Sequence, residues 1–279
     1  MPVVALPAPA SGPTVWNASS LDGASWSFEA RHGRLGPDIA GAAARALHHG
    51  PGFALVSGID LDGLDDDACL GLSQELGACF GTPRPLSGHR RADNALSPGT
   101  RTPGLDADDG HLDPHTDRCD GSSVADLMAL LCVRQATTGG DSLLASGPTV
   151  HNHLRADHPD QLQLLYGDQH FGTVDGHVRR SPVFRQDGGA VRVAYNRFHM
   201  VRALHERGLS PTSAQQAAFA AFDHTLHQPG ITLRLRLRPG DLLLVHNSTV
   251  LHGRTAFTHS PVARRLLTRT WIDTVRPAG

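Results

Sequence analysis

Histidine is heavily used in this chain, 18 of 279 residues, and three histidines open a His-x-Asp triplet. These are His111-Leu112-Asp113, His115-Thr116-Asp117 and His158-Pro159-Asp160. Residues i and i+2 of a β-strand point to the same side, so such a triplet can aim an imidazole and a carboxylate at one ion. Two histidines and one carboxylate on one face of an octahedral iron(II) leave three positions open for oxygen and substrates. A lone triplet is weak evidence, because a histidine-rich chain produces it by chance in solvated loops. His158-Pro159-Asp160 ends a helix-like segment and would not aim both side chains at one ion. The other two begin four residues apart, and spacing alone does not choose between them.

The elements around these triplets are readable. PDIAGAAARALHHG reads as a helix with Pro37 near its start and Gly50 as its stop. GFALVSG (52–58) is a short buried strand, and LDDDACLGLSQELGACFG a second helix, acidic in its first turn. Residues 82–114 are polar and turn-rich; a loop of that length suggests an active-site lid or a disordered segment. VADLMALLCV and DSLLAS read as buried strands, PTVHNHLRADHP and SPTSAQQAAFAAFDHTLHQPG as helices. ITLRLRLRPGD alternates apolar and charged residues, as a strand with one buried face does. LLLVHN and RRLLTRTWID supply two further strands. Regularly spaced strands with helices in front and in a long insertion predict a mainly β, α+β chain with a jelly-roll core. Residues 1–30, rich in Pro, Gly, Ser and Ala, are expected to be a loose lead-in to a single domain over 31–279.

Bulk properties narrow the partners. The formal charge of −2 gives no reason to expect nucleic acid, and no apolar run is long enough for a membrane span. The first residues lack the basic segment of a secretory leader, and the four cysteines form no disulfide framework, which together suggest the cytoplasm. All 25 basic residues are arginine, which says nothing about chemistry. Cys119 lies near the second triplet but not at a ligand spacing.

What lifts His115 and Asp117 is their company further on. GDLLLVHNSTVLHGRTAF places His252 beyond a strand, and RRLLTRTWID brings Arg265 thirteen residues later. The ordered set PHTD, GGDS, GDLLLVHNSTVLHGRTAF and RRLLTRTWID resembles the taurine dioxygenase/clavaminate synthase-like family of iron(II), 2-oxoglutarate-dependent oxygenases. The resemblance runs from about residue 50 to 273, with HGRTAF and the arginine after it the most specific part. It implies a double-stranded β-helix, with His115, Asp117 and His252 as iron ligands. It also implies that Arg265, whose planar fork suits a carboxylate, and Ser142 hold the distal carboxylate of 2-oxoglutarate. Arg269 shares a strand face with Arg265, and its counterpart in the family meets an anionic group of the substrate. His246, where the family commonly has an acidic or polar residue, is expected to support the site, and Arg254 to be a structural ion-pair partner.

The implied reaction consumes oxygen and 2-oxoglutarate, releases succinate and carbon dioxide, and hydroxylates an unactivated C–H bond. Desaturation or ring closure stays open. Halogenating relatives lack the carboxylate ligand, so Asp117 favours hydroxylation. An amino-acid-like or natural-product substrate is the expectation, with Arg192, Tyr195 and Asn196 of VRVAYNRFH as candidate contacts. Two other classes were weighed. A zinc hydrolase could use the same three ligands but has no use for Arg265 and Ser142, and a non-catalytic binding module has no use for an intact ligand set.

Overall fold

Two sheets face each other, and alternation along their strands decides which side chains lie between them. The computed structural model describes residues 6–84, 95–96, 110–117, 124–172, 178–258 and 264–274. The chain begins with β1 (Ser27–Glu29), α1 (Pro37–His49), β2 (Phe53–Ser57), α2 (Asp66–Ala78), β3 (Thr82–Pro83) and β4 (Ala95–Leu96). Then come β5 (Leu112–His115), β6 (Leu127–Arg134), β7 (Thr138–Gly139) and β8 (Ser142–Ser146). An insertion follows: α3 (Gly147–Asp157), α4 (Pro159–Tyr166), β9 (Asp168–Gly172), β10 (Val178–Pro182), β11 (Phe184–Asp187), β12 (Ala190–Val193), α5 (Arg197–His205) and α6 (Ser213–Leu226). The chain returns through β13 (Thr232–Leu235), β14 (Leu242–His246), β15 (Val250–Arg254), β16 (Phe257–Thr258) and β17 (Leu266–Asp273).

The major sheet has the order β1-β2-β14-β6-β17-β3, with β4 on β17, and the minor sheet the order β13-β8-β15-β5. Phe53, Met128, Leu130, Leu243, Val245, Leu267 and Trp271 of the first meet Leu144 and Val250 of the second in the inter-sheet core. The alternate residues Ala54, Val56, Leu127, Ala129, Leu131, Leu242, Leu244 and Ile272 face outward and are covered by Ala43, Ala46, Leu47 and Leu76 of α1 and α2. Both faces of the central strands are therefore buried, which is why β6 and β14 read as unbroken apolar runs. The jelly-roll core expected from the strand pattern is present.

Period two is decisive for β17. Its even residues point to α2, where the Thr270 hydroxyl lies 2.8 Å from that of Ser73. Its odd residues from Arg265, just before the strand, to Trp271 point between the sheets, and three of those four are polar or aromatic: Arg265, Arg269 and Trp271. The insertion builds its own core from α3, α4 and α6 around Phe171, Phe184, Tyr195, Phe219 and Phe222. Its last helix starts on a capping box, Thr212 accepting from the Gln215 amide while the Gln215 side chain accepts from the Thr212 N–H.

The proline- and glycine-rich lead-in packs more closely than its composition suggests. Trp16 is buried, donates from its indole to the Pro51 carbonyl at 2.7 Å, and tilts against Phe53. Two-way bonds between Trp16 and Thr149 fasten the segment to α3. Most of the polar segment expected to be a lid, 85–94 and 97–109, lies outside the described residues, as does Cys119.

Candidate active site

β5 and β15 are neighbours, and His115 and His252 are direct cross-strand partners with ring centroids 4.7 Å apart. Asp117, two residues beyond the end of β5, places its Oδ1 3.6 Å from Nε2 of each histidine. All three side chains are buried, and their ligating atoms lie within 4.8 Å of one another. Gly253 lets the two strands meet at the irregular register beside His252: a Cβ there would stand 2.4 Å from the Leu112 carbonyl oxygen.

Hydrogen bonds fix which atoms face the centre. Nδ1 of His115 lies 2.9 Å from the Asp113 carbonyl oxygen. A carbonyl only accepts, so Nδ1 carries the proton and the Nε2 lone pair is turned inward. Burial pushes His252 down from its usual range, which favours the neutral ring there. Burial alone would raise the Asp117 carboxyl, but the neighbouring charges, Arg269 first, outweigh it and hold it well below the usual carboxylate range. A lone pair aimed at a carboxylate oxygen across 3.6 Å repels it unless a cation lies between them. Two imidazoles and a carboxylate are the donors that non-haem iron(II) takes, so the residues present fit that metal.

Two residues absent from the sequence-based candidates hold Asp117 in place. Trp271 donates from Nε1 to Oδ2 at 2.9 Å, beside Arg269 Nη1 at 3.2 Å, which leaves Oδ1 for the centre. Arg269 also lies over the Trp271 ring at 4.3 Å. Asn247 accepts from the Asp117 N–H at 2.9 Å and donates to the Asp117 and Ala125 carbonyls at 3.0 and 3.1 Å. Replacing Asn247 by alanine strands these buried groups and is expected to cost about 2–3 kcal/mol of stability, read by denaturant unfolding. Trp271→Phe keeps the packing but frees Oδ2, and iron affinity measured by competition with a chelator should weaken by about tenfold. The sequence places both residues without revealing their partners: Trp271 continues the period-two series of Arg265 and Arg269, and Asn247 follows the strand before His252.

Arg265 is buried on the same inner side of β17. Its Nε donates to Gln135 Oε1 at 3.2 Å and its Nη2 to the Gly140 carbonyl at 3.3 Å. The positive φ of Gly139 and Gly140, 68° and 74°, suits glycine alone, and a Cβ on Gly140 would stand 2.9 Å from Arg265 Nε. Arg254 and Arg265 both lie on the Phe257 ring, at 4.7 and 5.0 Å. Burial first, then the Arg254 charge, pushes the Arg265 guanidinium down to about 10. Asp141, the acidic residue of the same turn, is already bonded to Arg234 at 2.5 Å and Arg236 at 3.0 Å. Arg265 thus has no carboxylate partner among the described residues, and an incoming anion would supply one. Ser142 is buried at the start of β8, directly opposite Arg254 and on the His252 side of that strand pair.

The remaining candidates sit elsewhere. Asn196 spends its side-chain oxygen on the first turn of α5, accepting from the His199 N–H at 3.1 Å. VRVAYNRFH thus spans the end of β12 and the start of α5. Arg192 pairs with Asp187 across its hairpin at 3.8 Å, and its charge acts on His48 and His246. Tyr195 exchanges hydrogen bonds with Thr116, between the two ligands of β5, while its hydroxyl donates to Asp223. His246 points away from the triad, edge-on to His48 at 6.0 Å, and burial pushes it down to about 4. Arg254 donates to the Gly110 carbonyl at 2.6 Å and adds its charge to that of Arg265. His111 and Asp113 are exposed at the start of β5, grouped with His227 and apart from the buried three.

Comparison with known proteins agrees with this geometry. FR-33289 synthase of Streptomyces rubellomurinus is 26% identical over 282 residues, covering 94% of this chain and 78% of that protein. An asparagine oxygenase solved with Fe(II), 3-hydroxyasparagine and succinate superposes with a TM-score of 0.63 at 19% identity, covering 89% of this chain and 94% of that one. The non-haem iron oxygenase OrfP, solved with Fe and α-ketoglutaric acid, gives 0.62 at 13% identity over 86% of this chain and 80% of its own. The model of the family described as "Taurine catabolism dioxygenase TauD, TfdA family" matches residues 19–271. The chain belongs to that family, the non-haem iron(II), 2-oxoglutarate-dependent dioxygenases.

Proposed function

We propose that this oxygenase hydroxylates an unactivated C–H bond of a small amino-acid-like or natural-product molecule. One oxygen atom of O2 enters the product and the other enters succinate as 2-oxoglutarate loses carbon dioxide. Iron, when bound, supplies the oxidising chemistry. The chain's own residues place the reactants. His115, Asp117 and His252 would hold the metal through Nε2, Oδ1 and Nε2, with Asn247 and Trp271 setting the angle of the carboxylate. Arg265 would take the distal carboxylate of 2-oxoglutarate, with Arg254 adding positive charge and Ser142 a hydroxyl.

The observation that carries this reading is the buried Arg265 without a carboxylate partner among the described residues, in a chain that also buries two histidines and one aspartate around a single point. Neither a zinc hydrolase nor a binding module needs that cation. Among the solved relatives, one holds hydroxyasparagine with succinate and another holds L-arginine with iron, which favours a substrate bearing an amino-acid head. Arg269, at the edge of the triad, is the proposed partner for that head's carboxylate. Succinate formation would be measured with Fe(II), oxygen and 2-oxoglutarate against a panel of free and derivatised amino acids. At least one should stimulate succinate formation and gain one oxygen atom by mass. A panel giving no stimulation in protein that binds 2-oxoglutarate would remove the substrate class while leaving the oxygenase assignment in place. Arg269→Ala should raise the KM of the stimulating compound; an unchanged KM would free Arg269 from the substrate role.

A further inference from the structure

A second cluster of two histidines and a carboxylate lies on the surface, and it is made by the triplet that the iron site does not use. His111 Nε2 stands 3.0 Å and His227 Nε2 3.5 Å from the same oxygen, Oδ1 of Asp113. All three ligating atoms lie within 4.8 Å of one another, and all three residues are exposed. Ligands about 2.0–2.2 Å from a metal stand roughly 3.0–3.5 Å apart, so a metal ion fits among them.

The tautomer of His227 is set by the fold. It follows the last turn of α6, where its Nδ1 lies 2.7 Å from the Asp223 carbonyl oxygen. Nδ1 must donate there, so in the neutral ring the Nε2 lone pair faces Asp113. The same device turns His115 inward, with the Asp113 carbonyl as acceptor. Two imidazole nitrogens and a carboxylate oxygen converging on one point form an arrangement that a bound cation completes, the alternative being a proton on one ring. An exposed imidazolium–carboxylate pair contributes little on its own, about 0–1 kcal/mol, and does not call for two imidazoles on one oxygen. Two imidazoles and a carboxylate with open positions are the donor set of a zinc-, nickel- or copper-class divalent ion.

We propose that His111, Asp113 and His227 form a second, solvent-facing divalent metal site that takes zinc-class ions. The ion would bridge β5 to the end of α6. Asp113 would belong to both centres, its carboxylate holding the outer ion and its carbonyl orienting His115. This proposal does not depend on which substrate the enzyme oxidises.

The test is a zinc titration of the metal-free, full-length protein, with bound metal counted after dialysis, in wild type, His227→Ala and His252→Ala. Wild type should bind two equivalents and His227→Ala one. His252→Ala should lose the inner equivalent and keep the outer. In wild type, filling the outer site should also raise the melting temperature, an increase missing in His227→Ala. His227 is exposed, so its variant should fold, and retention of 2-oxoglutarate binding confirms that. One equivalent in wild type, or two in His227→Ala, overturns the proposal: the charge opposite Asp113 is then a proton. The His252→Ala result separates that failure from a failure of the iron-site assignment.

Discussion

Arg265→Met is expected to abolish 2-oxoglutarate binding while leaving the ligand-free fold as stable as before, or more so. Both halves follow from the burial of this guanidinium without a carboxylate partner among the described residues. Burial holds it near 10, below its ordinary value, so its charge costs stability wherever both folded and unfolded forms are protonated. The sign is that of a base depressed on folding: the cost is full at pH below about 10 and fades as pH rises above that value. Methionine keeps the unbranched stem and removes the charge. The dicarboxylate then loses a buried, charge-assisted partner, a loss of roughly 2–5 kcal/mol, or about thirtyfold to several thousandfold in affinity. Thermal unfolding with and without 2-oxoglutarate reads both effects. A variant that is destabilised yet still shows the full ligand-induced shift would mean that Arg265 is structural.

Asp117→Ala is expected to remove iron binding and reduce turnover to background. The carboxylate is buried with Arg269 on one oxygen and the two histidines on the other, so its loss removes a ligand and takes a carboxylate from a buried cation. Breaking such a pair costs about 3–5 kcal/mol. Iron counted per chain, succinate formed and the unfolding midpoint should all fall together. Asp117→Asn separates the causes, because it keeps a side-chain oxygen for the Trp271 indole while removing the charge. It should recover most of the stability and little of the activity. Full activity in Asp117→Asn would contradict the assignment of Oδ1 as a metal ligand.

The sequence shows the strands of this site more readily than it shows what supports them. ITLRLRLR and RRLLTRTWID announce themselves by period and LLLVHN by its unbroken apolar run, and each forms a strand, the first shortened to Thr232–Leu235. His115 and His252 could be paired only through family resemblance, because cross-strand register between residues 137 positions apart leaves no local mark. The choice between the His111 and His115 triplets likewise rests on the resemblance, because burial changes along β5, exposed at its start and buried at its end, and period two cannot register that. Asn247 and Trp271 were hidden for another reason. They act by donating to a carboxylate and a carbonyl distant in sequence, and a polar residue at a strand end looks the same whether or not it finds such a partner. Asn196 shows the converse. Its place beside a candidate site suggested a substrate contact, whereas Asn before a helix is also a cap, and the backbone of α5 claims it. The order of the lead-in depends on Trp16 finding Thr149 and Pro51, which composition cannot register.

The central claim is that one buried centre takes iron(II) and 2-oxoglutarate together, with Arg265 holding the latter. Anaerobic addition of both to the metal-free protein, followed in the visible range, tests this most directly. A weak metal-to-ligand charge-transfer band in wild type that is missing in Arg265→Met is the predicted result. Well-folded wild-type protein that binds iron(II) and shows no band with saturating 2-oxoglutarate would contradict it.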